Sequence, residues 1–404
     1  MIFKINIKII TVFSILTICI SCKKEEKKIK NKTKSESKIG SLYTMQPFLE
    51  KLPDLTTSKK NLLKNTINVF YDENFVTNDF SGSFLVAKNG HIIYEKYRGM
   101  SNFEEQKAIT AKTPLHIASL SKVLTANAIL LLIDSKKITL DQKVNSILDD
   151  FPYPEITIRS LLNHRSGLRN YSYFTDYKST WDAQKTLRNS DLIPFINANK
   201  IDLEYKTDTH FSYCNTNFAF LALVIEKVTK MNYREAMNKL IFKPLDMKNT
   251  FVFDLDKDKT TVSQSYKGLK IKYAYNYLDA IYGDKNIYST PRDLLKFDMA
   301  TYNPNYLNKK LLAEVYKGYS YESKGTRNYG LGMRMFEWED GKQMFYHNGW
   351  WHGNTSAYIK LKDEKATLIC ISNKFTRATY KIKLLSCLFG KYPYELKSKN
   401  DSLE

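Results

Sequence analysis

Thiols are scarce in this 404-residue chain, which has five cysteines, at positions 19, 22, 214, 370 and 387. Their spacing builds no zinc site, and the one CxxC, Cys19-Ile-Ser-Cys22, closes an apolar run without a second pair. Cys370 and Cys387 lie in apolar strings that suit buried fillers better than a disulfide. Also missing are a zinc finger, a basic zipper, a pair of RNP-type strands and a Gly-rich phosphate loop. Nucleic-acid recognition is therefore not expected, despite a formal net charge of +20. The excess lysine is spread over loops and helix faces, a solvated surface that loosely attracts anionic envelope polymers or lipid. No internal repeat is present. His91, His116, His164, His210 and His352 share no metal-ligand spacing and read as satisfied polar residues, so neither metal nor cofactor is expected.

No run is long enough for a comfortable membrane span. The apolar stretch at residues 9–20 is short, preceded by Lys4 and Lys8 and followed by Ser21-Cys22. That pattern is similar to a bacterial lipoprotein signal, in which cleavage after Ser21 would expose Cys22 for lipidation. Residues 1–21 are thus expected to be a signal and residues 22–41, rich in lysine and glutamate, a disordered tether. The expected location is the bacterial cell envelope, lipid-anchored on the periplasmic side or at the outer-membrane surface. A hydrolase domain is expected over residues 42–395, followed by a polar tail at 396–404.

Within that domain the spacing predicts a helix over 61–71. Strands over 83–88 and 91–97 are joined by Asn89-Gly90, a type I′ hairpin signal. Helices follow at 120–133, 158–162, 218–229, 233–241 and 292–300. Strand patterns return at 329–338, 343–347, 355–361 and 366–372, with a closing helix over 381–389. Strands at both ends with helices between imply an α+β fold. One antiparallel sheet is built from about 60–115 and 326–392, beside a helix-rich inserted lobe at about 116–325.

Three short constellations carry chemistry. Ser119 and Lys122 are three residues apart at the start of the 120–133 helix, so their side chains share one face. A hydroxyl becomes a good nucleophile when a neighbour takes its proton, and a lysine whose ammonium form is disfavoured can do so. The positive end of the helix favours charge developing at Ser119. Ser121 is the rival, but the residue three positions later is Leu124, which accepts no proton. Tyr213-Cys214-Asn215 precedes an apolar helix. There Tyr213 can relay a proton, and the Asn215 amide can hold a substrate carbonyl while contacting the lysine. His347-Asn348-Gly349 ends a strand, where His347 can donate to a carboxylate and Gly349 lets substrate approach the backbone.

Each of these strings is unremarkable alone. In order, SLSK at 119–122, YCN at 213–215 and HNG at 347–349 resemble the serine β-lactamase and penicillin-binding-protein superfamily. The likeness is to class C β-lactamases, D-alanyl-D-alanine carboxypeptidases and related esterases. SLLNHRSGL at 160–168, FKPLDMKNT at 242–250 and IYSTPRDLLKF at 287–297 add to it, so the resemblance spans about residues 60–390. It implies acylation of Ser119, proton handling by Lys122 and Tyr213, and substrate orientation by Asn215. It also implies an anion or leaving-group side shaped by His347, and an oxyanion hole from the N–H groups of Ser119 and Trp350.

Two departures shape the expected substrate. Histidine stands where many lactamases have lysine, and Asn348 replaces the usual hydroxyl residue. Trp350 and Trp351 then place aromatics at the cleft rim. The expectation is a serine hydrolase cleaving an amide or ester through an acyl-enzyme, foremost in a peptide containing D-amino acids. A carboxylesterase, a β-lactam hydrolase and a non-catalytic scaffold are the alternatives.

Overall fold

Asn89 and Gly90 both take left-handed backbone angles, φ 55° and 80°, the geometry a type I′ turn requires. They join β1 (Gly82–Lys88) to β2 (His91–Arg98), which pair antiparallel with Lys88 opposite His91. The computed structural model describes residues 52–175 and 181–396. The signal and tether assigned to residues 1–41, Cys22 among them, lie outside the described residues, as do 397–404 of the tail.

Short pairs follow: β3 (Met100–Asn102) with β4 (Lys107–Ala108), then β5 (Leu115–His116), β6 (Phe251–Val252) and β7 (Ile287–Ser289) in a three-stranded sheet. The late strands are β8 (Arg327–Tyr329), β9 (Arg334–Glu337), β10 (Gln343–Trp351), β11 (Asn354–Leu361) and β12 (Ala366–Ser372). They join the first hairpin in one seven-stranded antiparallel sheet, ordered β2-β1-β12-β11-β10-β9-β8. The expected α+β arrangement, a sheet closed by the two ends of the domain, is the one observed. The single strand expected over 329–338 is instead two strands. Gly332 at φ 84° turns the chain between them, and a Cβ there would collide with the Ala126 methyl.

Both faces of the sheet are covered. One carries α1 (Thr57–Tyr71) and the closing 3-10 helix Ala378–Leu388, packed on Phe84, Val86, Ile359, Leu368 and Cys370. The other receives the helical region, including α2 (Ser121–Asp134), α3 (Ile158–Leu162), α4 (Asn215–Thr229) and α5 (Pro291–Ala300). Every residue of β11 and β12 is consequently buried, and even Lys360 is held, by Asp298 of α5 at 3.0 Å. Local chemistry starts these helices where sequence signals place them. Thr157 and Ser160 form a capping box on α3, and Thr290 caps α5 ahead of Pro291. The helix expected over 233–241 is regular from Tyr233 to Met237 and continues as a wider turn, Asn238–Phe242. Cys214, Cys370 and Cys387 are free thiols. Among the described residues no helix is long and apolar enough to cross a membrane.

Candidate active site

Ser119 does not sit in α2 but in the 3-10 turn Ala118–Leu120 that leads into it. Ala118 has φ +49°, a left-handed conformation that costs a residue with a Cβ about 1–3 kcal/mol and persists only when its surroundings hold it. Four contacts do so. Ile117 N–H donates to Ile287 O at 2.9 Å and Ile117 O accepts from Ser356 Oγ at 2.6 Å. Ala118 N–H donates to His116 Nδ1 at 3.1 Å, and Ile287 N–H donates to Ser121 Oγ at 3.1 Å. Ser121 is therefore a buried anchor, whereas Ser119 is half-exposed. Among the described residues the Ser119 N–H has no acceptor, so it is free to meet an oxyanion.

Lys122, fully buried, has its Nζ 3.2 Å from Ser119 Oγ, 2.8 Å from Asn215 Oδ1 and 2.8 Å from the Asp284 carbonyl. Two of these partners accept hydrogen bonds only. When Lys122 is neutral its two N–H groups satisfy Asn215 and Asp284, and the lone pair is left facing the Ser119 hydroxyl. When it is an ammonium the third proton points at that same oxygen. The geometry thus supports proton exchange between Lys122 and Ser119 with no rearrangement of the other partners. Asn215 caps nothing; it opens α4 with its side chain committed to Lys122.

The Tyr213 ring lies between two cations, Lys122 Nζ at 5.1 Å and the Arg334 guanidinium at 4.5 Å from its centroid. Its hydroxyl has no hydrogen bond among the described residues. His164 supports the ring from behind at 4.4 Å and accepts from Cys214 N–H at 3.2 Å and Asn217 Nδ2 at 3.1 Å. Burial first, then the charges of Lys122 and Arg334, hold His164 well below the ordinary histidine range. Beneath Lys122, Asp284 accepts from Tyr171 Oη at 2.7 Å, and Lys285 Nζ donates to Tyr171 Oη at 2.7 Å. Burial lowers the Lys285 pKa against the pull of Asp284 and Asp279.

The third constellation is arranged differently from expectation. His347 is completely buried, with Nδ1–H donating to Asn348 O at 2.8 Å and Nε2 3.3 Å from Tyr329 Oη. Burial, with Arg334 and Lys122 adding to it, keeps it neutral and far below its usual pKa. It borders Tyr213, with ring centroids 6.2 Å apart, and among the described residues it makes no hydrogen bond to Ser119. Gly349 was expected to admit substrate. The neighbour that needs its missing side chain is the nucleophile turn, because a Cβ at 349 would overlap Ile117 O and Ser356 Oγ. Trp350 stands at the rim, 63% exposed, whereas Trp351 turns inward and donates to Asp279 Oδ1 at 2.7 Å. Only one of the two tryptophans is therefore at the rim.

Beyond Tyr346, β10 pairs only with β11, which leaves the edge of residues 347–351 toward β9 unpaired. Strand alternation puts Asn348 on the sheet face opposite His347. There it lines a cleft of about 310 Å³ with Arg327, Arg334, Lys383, Tyr346 and Tyr380. No carboxylate lines this cleft, and its three cations have no ion pair among the described residues. Sequence reading missed Arg334, His116 and His164. The last two stand inside the strings HIASLSK and SLLNHRSGL, which were the available signal. Among the described residues no group of three or more His, Cys, Asp or Glu could hold a metal.

A buried lysine on a half-exposed serine, at the seam of a sheet and a helical region, is the arrangement of a serine hydrolase. A profile of the Beta-lactamase family matches residues 77–384, and the chain belongs to that family of serine hydrolases. It is similar to penicillin-binding protein 4* of Bacillus subtilis, 28% identical over 340 residues that cover 78% of this chain and 74% of that protein. It is also similar to a D-aminopeptidase of Brucella ovis, 26% identical over 72% of this chain, although the match spans only 56% of that longer protein. The fold is similar to that of a penicillin binding protein from Bacillus halodurans. Its TM-score is 0.69 at 22% identity, covering 78% of this chain and 98% of that one.

Proposed function

We propose that Ser119 is acylated by peptides that contain D-amino acids and end in a free carboxylate, in the manner of a D-alanyl-D-alanine carboxypeptidase. Lys122 takes the Ser119 proton as Oγ attacks the scissile carbonyl, and Tyr213 relays that proton to the amine as the C–N bond breaks and the Oγ–acyl bond remains. Water then releases the acyl group. The observation that carries the reaction is the threefold set of partners on Lys122 Nζ, two of which can accept only. The substrate reading is supported by the unpaired cations Arg327, Arg334 and Lys383 beside Asn348. The D-aminopeptidase relative also favours D-amino-acid substrates.

The test compares a D-Ala-D-Ala peptide, its C-terminal amide, a p-nitrophenyl ester and a chromogenic cephalosporin. The free acid is expected to turn over best, and Arg327→Gln with Lys383→Gln should raise its KM about tenfold while leaving the amide unchanged. Equal turnover of acid and amide would remove the carboxylate reading. Preference for the ester or the cephalosporin would instead make the protein an esterase or a lactamase. Lipid anchoring through Cys22 at the bacterial cell envelope belongs to the same proposal. Cys22→Ser should abolish lipid labelling, and labelling that persists would contradict it.

A further inference from the structure

His116 sits on β5, paired with β7 opposite Tyr288, with its ring edge-on to that tyrosine at 5.0 Å and its side chain buried. Its two nitrogens have different partners, and those partners decide the tautomer. Asn286 Nδ2 donates to the backbone carbonyls of Asp279 and Ile281. Both are pure acceptors, so the amide orientation is forced and Asn286 Oδ1 faces His116 Nε2 at 3.0 Å. Nε2 must then carry the hydrogen, and Nδ1 keeps a lone pair. That lone pair receives the Ala118 N–H at 3.1 Å. Burial, opposed by the Asn286 hydrogen bond, pushes His116 down to about 4, so this neutral form is the one present near neutral pH.

Ala118 is itself completely buried. Without His116 Nδ1 its N–H would be an unpaired donor in the interior, and the left-handed turn would lose a contact that opposes its relaxation to ordinary angles. Relaxation there rotates the next peptide unit, which is the one bearing the unoccupied Ser119 N–H. The same chain of hydrogen bonds runs on through Asn286 to Asp279, whose carboxylate is 3.0 Å from His352 Nε2 and accepts from Trp351 Nε1. The nucleophile turn and the β10–β11 hairpin are thus tied to one buried network.

We propose that His116 is a positioning residue for the nucleophile, acting through its Nδ1 lone pair, which holds Ala118 left-handed and aims the Ser119 N–H and hydroxyl at the substrate carbonyl. The proposal rests on Ser119 being the acylated residue and adds a role for a histidine that touches neither substrate nor Ser119 Oγ.

Two substitutions separate the ring's two nitrogens. In His116→Asn the amide oxygen can occupy the place of Nδ1, which keeps an acceptor for Ala118. In His116→Gln the amide nitrogen can occupy the place of Nε2, which keeps the donor to Asn286 and offers Ala118 nothing. The rate of fluorophosphonate labelling is measured on each, with urea unfolding measured in parallel. His116→Asn is expected to label within about threefold of the unaltered protein. His116→Gln should fall about 100-fold, the loss typical of a reacting group displaced by about an ångström.

A merely structural role predicts that both variants, each lacking one hydrogen bond, label alike once corrected for folded fraction. That result would overturn the proposal. Should neither variant fold, nitrogen-15 spectra of the unaltered protein decide. A scalar coupling across Ala118 N–H···Nδ1 is expected, and an Nδ1–H tautomer would overturn the assignment. Failure of the unaltered protein to label at all would count against Ser119 as nucleophile, a distinct outcome.

Discussion

Gly349→Ala adds one methyl at the point where β10 meets the nucleophile turn. Its Cβ would overlap Ile117 O and Ser356 Oγ, and would press on the Ala118 methyl at 3.1 Å. Ser356 can swing aside, losing its 2.6 Å bond to Ile117 O at a cost of about 1 kcal/mol. The Ile117 carbonyl has less freedom, because Ile117 N–H is bound to Ile287 O and Leu120 N–H to Ile117 O itself. Strand and turn must therefore part, an overpacking cost of about 1–3 kcal/mol. Together these predict a stability loss of about 2–4 kcal/mol in urea unfolding. Parting by about an ångström also displaces Ser119 from the strand edge, and acylation should fall about 100-fold. The assay is fluorophosphonate labelling normalised to folded protein. A variant that labels within about threefold of the unaltered protein, under 1 kcal/mol of activation energy, would show that the close approach of turn to strand does not matter. The reasoning about Gly349 would then fail.

Lys122→Met keeps the stem and removes the amine. It should lower kcat about 10²–10⁴-fold through loss of the proton acceptor. It should also destabilise by about 2–4 kcal/mol, because Asn215 Oδ1 and Asp284 O lose their donor; a variant that keeps kcat would contradict the role of Lys122. Acid should destabilise the fold. His116, pushed down to about 4 by burial, binds fewer protons folded than unfolded, so its contribution is present above about pH 6.5 and is lost as pH falls toward about 4. Between about pH 7 and about pH 5 this one group removes about 2 kcal/mol. His164 and His347, shifted the same way, add to it. Urea midpoints unchanged over that interval would contradict the burial argument.

Much of the fold was legible because local chemistry and tertiary structure agree. Asn89-Gly90 demanded a hairpin and made one, and Thr290-Pro291 started the α5 helix one residue before its predicted bound. The strand read through 329–338 failed because alternation does not register a close approach. Gly332 turns the chain against Ala126 of a helix two hundred residues earlier, and nothing nearby in sequence signals that contact. The serine–lysine pair was readable because i,i+3 spacing on a helical turn fixes proximity. Roles that depend on a distant partner were not readable. His116 and His164 looked like ordinary satisfied histidines, yet one holds Ala118 and the other backs Tyr213. Gly349 was readable as a position that needs a missing side chain, but the packing of Ile117 and Ser356 against it was not, because both are far from it in sequence or on another strand. Asn348 was readable from its motif, but the three cations that share its cleft come from distant parts of the chain and carry no local signal.

The central claim is that Lys122 activates Ser119 for covalent attack. Intact-mass measurement after exposure to a fluorophosphonate tests it most directly, on the unaltered protein and on Ser119→Ala. The account predicts one adduct per chain, located on the peptide containing Ser119 and absent from the alanine variant. An adduct of equal extent on Ser119→Ala, or folded protein that stays unlabelled, would contradict it.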